Sequence, residues 1–243
     1  MFEMISRVGI IISKIFERIV PDPFVIAILL TVVTAILALF FGNFDGDSNI
    51  TALLDSWRDS ENGIWKLLAF AMQMCLVLVT GYALATTRSV KKCIDALSDI
   101  PKSTATAAAL VGFIACVCGL LNWGLGLIVG ALLAREVGFS LQRRNIKAHY
   151  PLIAASGYVG LLVWHGGLSG SAPLSMTTMR GASKVVPAEY LDRVSSVLLS
   201  DSISSSLNFF VSGGMLILIP IILFLLAPKR EEDIRTIDMF GVD

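Results

Sequence analysis

Phe24 to Phe41 is a run of 18 residues without a charge, about 27 Å of α-helix set against roughly 30 Å of bilayer hydrocarbon. Lipid supplies no partner for an open backbone N–H or C=O, so such a run reads as a membrane-crossing helix. Comparable apolar stretches recur at Leu67 to Ala85, Thr104 to Leu121 and Ile203 to Ala227. At 18 or more residues each they suit membrane-crossing helices, so the reading is an all-α polytopic membrane protein with about four crossings, one helical hairpin and one broken helix. Hydrophobic residues make up 55% of the 243 and charged residues 16%, with a mean hydropathy of +0.77; soluble domains carry about 25% charged residues. Soluble globular, disordered, collagen-like and disulfide-framework classes are thereby excluded. The 19 Lys+Arg balance the 19 Asp+Glu, so no basic excess points to nucleic acid. Cys75, Cys93, Cys116 and Cys118 form no C-x-x-C unit and have no flanking His, and read as packing residues; no resident metal or cofactor is expected.

Along the chain, residues 1–23 read as an interfacial amphipathic helix. Ile5, Val8, Ile12, Ile15 and Ile19 share one face, while Arg7, Lys14 and Arg18 occupy others. Pro21-Asp22-Pro23 ends it and opens the next helix, with Asp22 as N-cap and Pro23 in the first turn. Residues 24–85 hold two scaffold spans separated by a polar loop, Gly42 to Lys66, with Asp45, Asp47, Asp55, Asp59 and Glu61. Residues 86–149 hold a surface helix, with Val90, Ile94 and Leu97 on one side, and then the hairpin, whose tip lies near 122–126. Its arms carry the small-residue ladders Ala108, Gly112, Ala115, Gly119 and Gly126, Gly130, Ala134, Gly138, which let helices meet backbone to backbone. Residues 150–200 hold a broken helix and an outer loop. Pro151 to Trp164 is 14 residues, too short to cross, and the Gly/Ser loop 164–172 interrupts it before Pro173. The last span occupies 201–227 and a charged tail or linker 228–243.

The basic residues test the hairpin independently, because cytoplasmic loops collect Lys and Arg. If the hairpin returns the chain to its starting side, 14 of the 19 share one face: Arg7, Lys14, Arg18, Arg88, Lys91, Lys92, Lys102, Arg135, Arg143, Arg144, Lys147, Lys229, Arg230 and Arg235. A single crossing through 104–134 would give 10 against 9. The hairpin reading therefore places both termini in the cytoplasm, without deciding between a re-entrant hairpin and two full crossings.

A hairpin followed by a broken helix is an arrangement by which secondary transporters hold anions and coupling ions near the midplane. Half-helix N-termini turn unpaired N–H groups and a positive dipole end toward an anion. Freed carbonyls with Asn and Ser oxygens suit a coupling cation, sodium or a proton. Asn122, Ser169 and Ser171 are the candidate polar ligands, and Gly124, Gly126, Gly166, Gly167 and Gly170 let backbone approach the solute. Asn122 reads equally as a hydrogen-bonded helix breaker and the glycines as turns. Trp123 and Trp164 are either walls beside an acyl chain or packing aromatics. His165 is the titratable group in the broken-helix loop, since the confident spans hold no Asp or Glu; Glu136 stands at the hairpin's exit and Asp201 before the last span. The run Ser200, Ser202, Ser204, Ser205, Ser206 and Asn208 marks the water interface or lines an aqueous path. Gly167-Leu168-Ser169-Gly170 also matches the G-x-S-G form of rhomboid-type intramembrane proteases. Here, however, His149 and His165 both precede Ser169, whereas that family draws its base from a later helix.

Pro21-Asp22-Pro23, Ala69-Phe70-Ala71-Met72-Gln73-Met74, Asn122-Trp123-Gly124-Leu125-Gly126-Leu127, Ala134-Arg135-Glu136-Val137 and Gly167-Leu168-Ser169-Gly170-Ser171-Ala172-Pro173-Leu174, in this order, make the chain resemble the bacterial short-chain fatty acid transporter family. The resemblance implies transport of small carboxylates such as butyrate or acetoacetate across the cytoplasmic (inner) membrane. It also implies kinship with a superfamily of ion transporters built from two inverted repeats, each with a hairpin and a broken helix. His165 stands where some members have Gly. Such transporters are about twice this length, so the chain resembles the N-terminal repeat, with a second half or a homodimer partner, besides the bilayer, to complete it. The rival reading is a non-transporting membrane subunit or truncated half-gene product.

Overall fold

The computed structural model describes residues 2–44, 48–61 and 63–242. Asp45 and Asp47 of the polar loop, and the side chain of Ile5, lie outside the described residues. The helices are α1 Phe2–Ile19, α2 Pro23–Phe41, α3 Asn49–Arg58, α4 Lys66–Ala85, α5 Arg88–Ser98, α6 Thr104–Leu121, α7 Trp123–Arg143, α8 Tyr150–Ser156, α9 Ser171–Met176, α10 Met179–Ala182 and α11 Ser206–Leu226. Tight 3₁₀ turns occupy Val159–Leu162, Trp164–Gly166, Ala188–Arg193, Glu231–Asp233 and Ile237–Phe240, and no strand occurs among the described residues. Among the described residues, six segments are long and apolar enough to cross a bilayer: α2, Lys66–Leu84, α6, α7, the interrupted Tyr150–Met176 and α11. This is an all-α, multi-pass membrane protein. The chain divides into two compact units, Ile11–Val79 and Met1–Ile10 with Thr80–Asp243.

In the unit Ile11–Val79, Asp22 Oδ1 accepts the Phe24 N–H at 2.8 Å and Pro23 sits in the first turn, the capping that the Pro-Asp-Pro sequence predicts. No residue of α2 is buried. Phe24, Leu30, Phe40 and Phe41 stand in the open, a surface suited to hydrocarbon. The polar loop is only partly a loop. Ile50, Leu53, Leu54 and Trp57 recur at helical spacing, and α3 forms there with an Arg58–Asp55 pair at 2.9 Å.

The larger unit is built around α6 and α7, antiparallel arms that lie against each other along their length. At 18 and 21 residues, about 27 and 32 Å, each is long enough to cross. Ala107, Val111, Leu133, Val137, Leu141 and Ile153 form the buried core, and α5 covers it with Ile94, Val90 and Leu97. The small-residue ladders serve more than the contact between the arms. A Cβ on Gly126 would strike the Gly119 backbone (Cα 2.8 Å), as expected for arm against arm, but one on Gly119 would meet Gly160, and Gly130 and Gly157 face each other backbone to backbone. Gly112 faces the Leu223 side chain. The ladders therefore seat the broken segment and α11 as well.

Those close approaches explain why the broken segment departs from its expected form. In place of a helix from Pro151 to Trp164, α8 ends at Ser156 and the chain continues as 3₁₀ turns. Gly157 and Gly160 lie against the backbones of Gly130 and Ala115, and this approach draws the chain off the regular α path. A second departure concerns Glu136. It lies inside α7, about two turns before the end, paired with Arg135 at 3.5 Å, while the Arg135 guanidinium lies 5.3 Å from the centre of the Phe139 ring.

The basic ends are tied down. Arg144 donates to the carbonyls of Asp99 (2.9 Å), Pro101 (2.6 Å) and Ser140 (3.2 Å), and the buried Ser140 hydroxyl donates to Asp99 Oδ1 at 2.7 Å. One guanidinium thus fastens the end of α7 to the turn after α5, which a point-like ammonium cannot do. Arg144→Lys is expected to lower stability by about 1–2 kcal/mol, whereas Arg143→Lys, at an exposed position, leaves it unchanged. Denaturant titration of both variants in detergent checks this. The tail folds back: Ile237 is buried against Gly138, the Tyr150 N–H donates to the Arg235 carbonyl at 2.8 Å, and the Arg235 N–H donates to His149 Nδ1 at 3.2 Å. Burial lowers the His149 pKa, and the Asp233 carbonyl partly opposes it.

Candidate functional site

The hairpin turns on one residue. Asn122 has extended backbone (φ −156°, ψ 129°) and is at once the C-cap of α6 and the N-cap of α7. Its N–H donates to the Cys118 carbonyl at 2.9 Å, and its side-chain oxygen accepts from Gly124 N–H (2.9 Å) and Leu125 N–H (3.2 Å). The remaining N–H of that first turn, Trp123, donates to Ser169 Oγ at 2.9 Å across 46 residues of chain. The first intrahelical bond, Gly126 N–H to the Asn122 carbonyl at 3.0 Å, follows directly. Two neutral side-chain oxygens therefore cover the three N–H groups at the positive end of a 21-residue helix.

Ser169 reaches α7 because the broken-helix loop lies on the hairpin tip. The Leu168 N–H donates to the Leu120 carbonyl at 2.7 Å, and Gly167 rests on Leu120 where a Cβ would lie 2.6 Å from its Cα. A Cβ on Gly170 would run into the His165 carbonyl, so Gly is required for this tight loop. Trp123 and Trp164 meet edge to face, centroids 6.1 Å apart at 62°, and His165 lies on Trp164 with centroids 4.0 Å apart.

The other wall comes from α11. Asn208 donates through Nδ2 to the Gly166 carbonyl (2.8 Å) and the Ile203 carbonyl (2.7 Å), and its Oδ1 accepts from Ser212 Oγ at 3.0 Å. Ser205 caps α11, accepting the Asn208 N–H at 3.2 Å. Asn208 and Ser212 are the residues that sequence reading missed as parts of this site. The polar run ahead of the last span was visible, but that Asn208 would hold a carbonyl 42 positions upstream was not.

The candidate residues thus separate into groups. Asn122, Trp123, Gly124, Trp164, Gly166, Gly167, Ser169 and Gly170 converge at the junction of tip and loop. Gly126 belongs to the contact between the arms. His165 and Ser171 are exposed, and Ser171 opens the six-residue α9. Ser169 gives its oxygen to the Trp123 N–H, and no hydrogen bond joins it to His165 among the described residues.

The fold is that of a multi-pass helical membrane protein whose capped hairpin tip is seated in a broken-helix loop. The family model described as Short chain fatty acid transporter matches residues 4–242, and the chain belongs to that family. A relative from Escherichia coli (strain K12), named as a short-chain fatty acid transporter, is 34% identical over 236 residues, 97% of this chain and 49% of the relative. A second, from Haemophilus influenzae (strain ATCC 51907 / DSM 11121 / KW20 / Rd) and named the same way, is 34% identical over 229 residues, 94% of this chain and 49% of the relative. The chain spans about half the length of the curated relatives it matches. No solved structure matches it.

Proposed function

We propose that the chain is the N-terminal repeat of a secondary transporter, not an enzyme, that moves short carboxylates such as butyrate or acetoacetate across the bacterial inner membrane by alternating access, with both termini cytoplasmic. A second repeat half or a homodimer partner completes the site, and sodium or a proton is the coupling ion. The observation that carries this reading is the cap of α7: Trp123, Gly124 and Leu125 N–H groups held by Ser169 and Asn122 oxygens. A carboxylate entering the junction takes over these N–H groups, exchanging neutral hydrogen bonds for charge-assisted ones roughly twice as strong. The Asn122 amide and Ser169 hydroxyl then turn to the bound solute, and the Trp123–Trp164 pair flanks its alkyl chain. The half-length match to the relatives supports the assignment to one repeat.

The test is uptake of labelled butyrate into vesicles containing the intact protein, with imposed sodium and proton gradients in separate arms. Gradient-driven uptake is expected. Ser169→Ala leaves the Trp123 N–H without its protein partner and is expected to reduce uptake roughly ten-fold, the worth of one charge-assisted hydrogen bond. Unchanged uptake in Ser169→Ala protein that inserts normally would remove Ser169 from the site.

A further inference from the structure

Away from the tip and loop, a cavity of about 560 Å³ opens where the first turn of α6 meets the end of α11. Lys102, Lys147 and Lys229 line it together with the apolar Ala105, Phe224 and Leu225. Two candidate spans end here on one face, α6 beginning at Thr104 and α11 closing at Leu226 before Pro228. The cavity therefore lies at a boundary between hydrocarbon and water, on the face that collects the basic residues. Three lysines lining one cavity at that depth, together with apolar residues at the end of a span, match a ligand with an anionic head and a hydrocarbon tail. Lys147 pairs with Glu231 at 3.0 Å, both side chains being exposed. The α6 N-terminus adds its dipole beside Lys102, with its cap filled by Ser103.

We propose that this cavity binds the phosphodiester headgroup of an anionic phospholipid, with Lys102, Lys147 and Lys229 around the phosphate and one acyl chain along Phe224 and Leu225. Basic pockets between membrane helices on the positive face bind such headgroups. The lipid would stitch the start of the hairpin to the end of the last span from outside the transport site, and this inference does not rest on the transport reading.

Native mass spectrometry of the intact, delipidated protein, titrated with phosphatidylglycerol, phosphatidylcholine or inorganic phosphate, tests the proposal. Phosphatidylglycerol is expected to be retained well above phosphatidylcholine. Each lysine near a headgroup contributes about 1 kcal/mol, so Lys102→Gln combined with Lys229→Gln is expected to weaken phosphatidylglycerol binding roughly ten- to thirty-fold. Lys102→Arg with Lys229→Arg keeps it, and Glu231→Gln strengthens it by releasing Lys147. Lys91→Gln with Lys92→Gln, exposed on α5 and outside the cavity, changes nothing. Equal retention of the two lipids, or an equal loss in the α5 variant, would overturn the proposal. Displacement of the lipid by inorganic phosphate at matched concentration would also overturn it, assigning the cavity to a soluble anion.

Discussion

Gly130→Val is expected to remove the folded protein from the membrane fraction. A Cβ at Gly130 runs into the Gly157 carbonyl and lies 3.0 Å from its Cα, and a Cβ at Gly157 would lie 2.6 Å from the Gly130 carbonyl oxygen. Both partners are backbone, so no side chain can swing aside, and relief requires separating α7 from the broken segment. Overpacking of this kind typically costs about 1–3 kcal/mol where side chains can shift. Here the loss is expected at or above about 3 kcal/mol, a large part of the stability of a typical fold. Gly213 supplies the contrast, since a Cβ there meets nothing within 4 Å. Gly213→Ala in the middle of α11 is expected to be neutral or to stabilise by about 0.5–1 kcal/mol. Thermal unfolding of the purified variants in one detergent decides it, and a Gly130→Val midpoint within a degree of the parent would refute the packing argument.

Asn122→Ala carries the largest expected effect on transport. It removes the oxygen that holds Gly124 and Leu125 N–H and the side chain proposed to face the solute. Loss of the cap costs stability only about 1 kcal/mol, but butyrate uptake is expected to fall roughly a hundred-fold, two charge-assisted contacts at about ten-fold each. Asn122→Asp separates the roles. Asp caps a helix as well as Asn and favours the positive dipole end, so the fold is kept. A fixed negative charge then stands where the carboxylate is proposed to bind, and uptake is expected to stay low. An Asn122→Asp protein that transports at the parental rate would mean that the carboxylate binds elsewhere.

The hairpin was legible because its signals are local. Asn122 interrupts two apolar runs, small residues recur every third or fourth position on one arm and every fourth on the other, and the count of basic residues needs only the order of segments. Capping was equally local, as Asp22 and Pro23 illustrate. The partners of the ladders were not, because the spacing of Gly130 reveals that a backbone comes close without revealing that it is that of Gly157. Long-range pairing likewise hid the role of Asn208 on the Gly166 carbonyl and the Ser169 cap on Trp123. The missed α3 has a different cause. Its apolar face of Ile50, Leu53, Leu54 and Trp57 sits among acids and was absorbed into a loop.

The single residue between α6 and α7 has a mechanical consequence. With no slack at Asn122 and backbone seated on backbone at Gly119, Gly130, Gly157 and Gly160, the two arms and the broken segment have no internal hinge of their own. Tilting α7 is then expected to carry the Gly166 to Ser169 loop with it, since Ser169 holds the Trp123 N–H and Leu168 the Leu120 carbonyl. The proposed alternating access would therefore shear along surfaces of side chains outside this glycine-seated block, with the two arms and the broken segment travelling together.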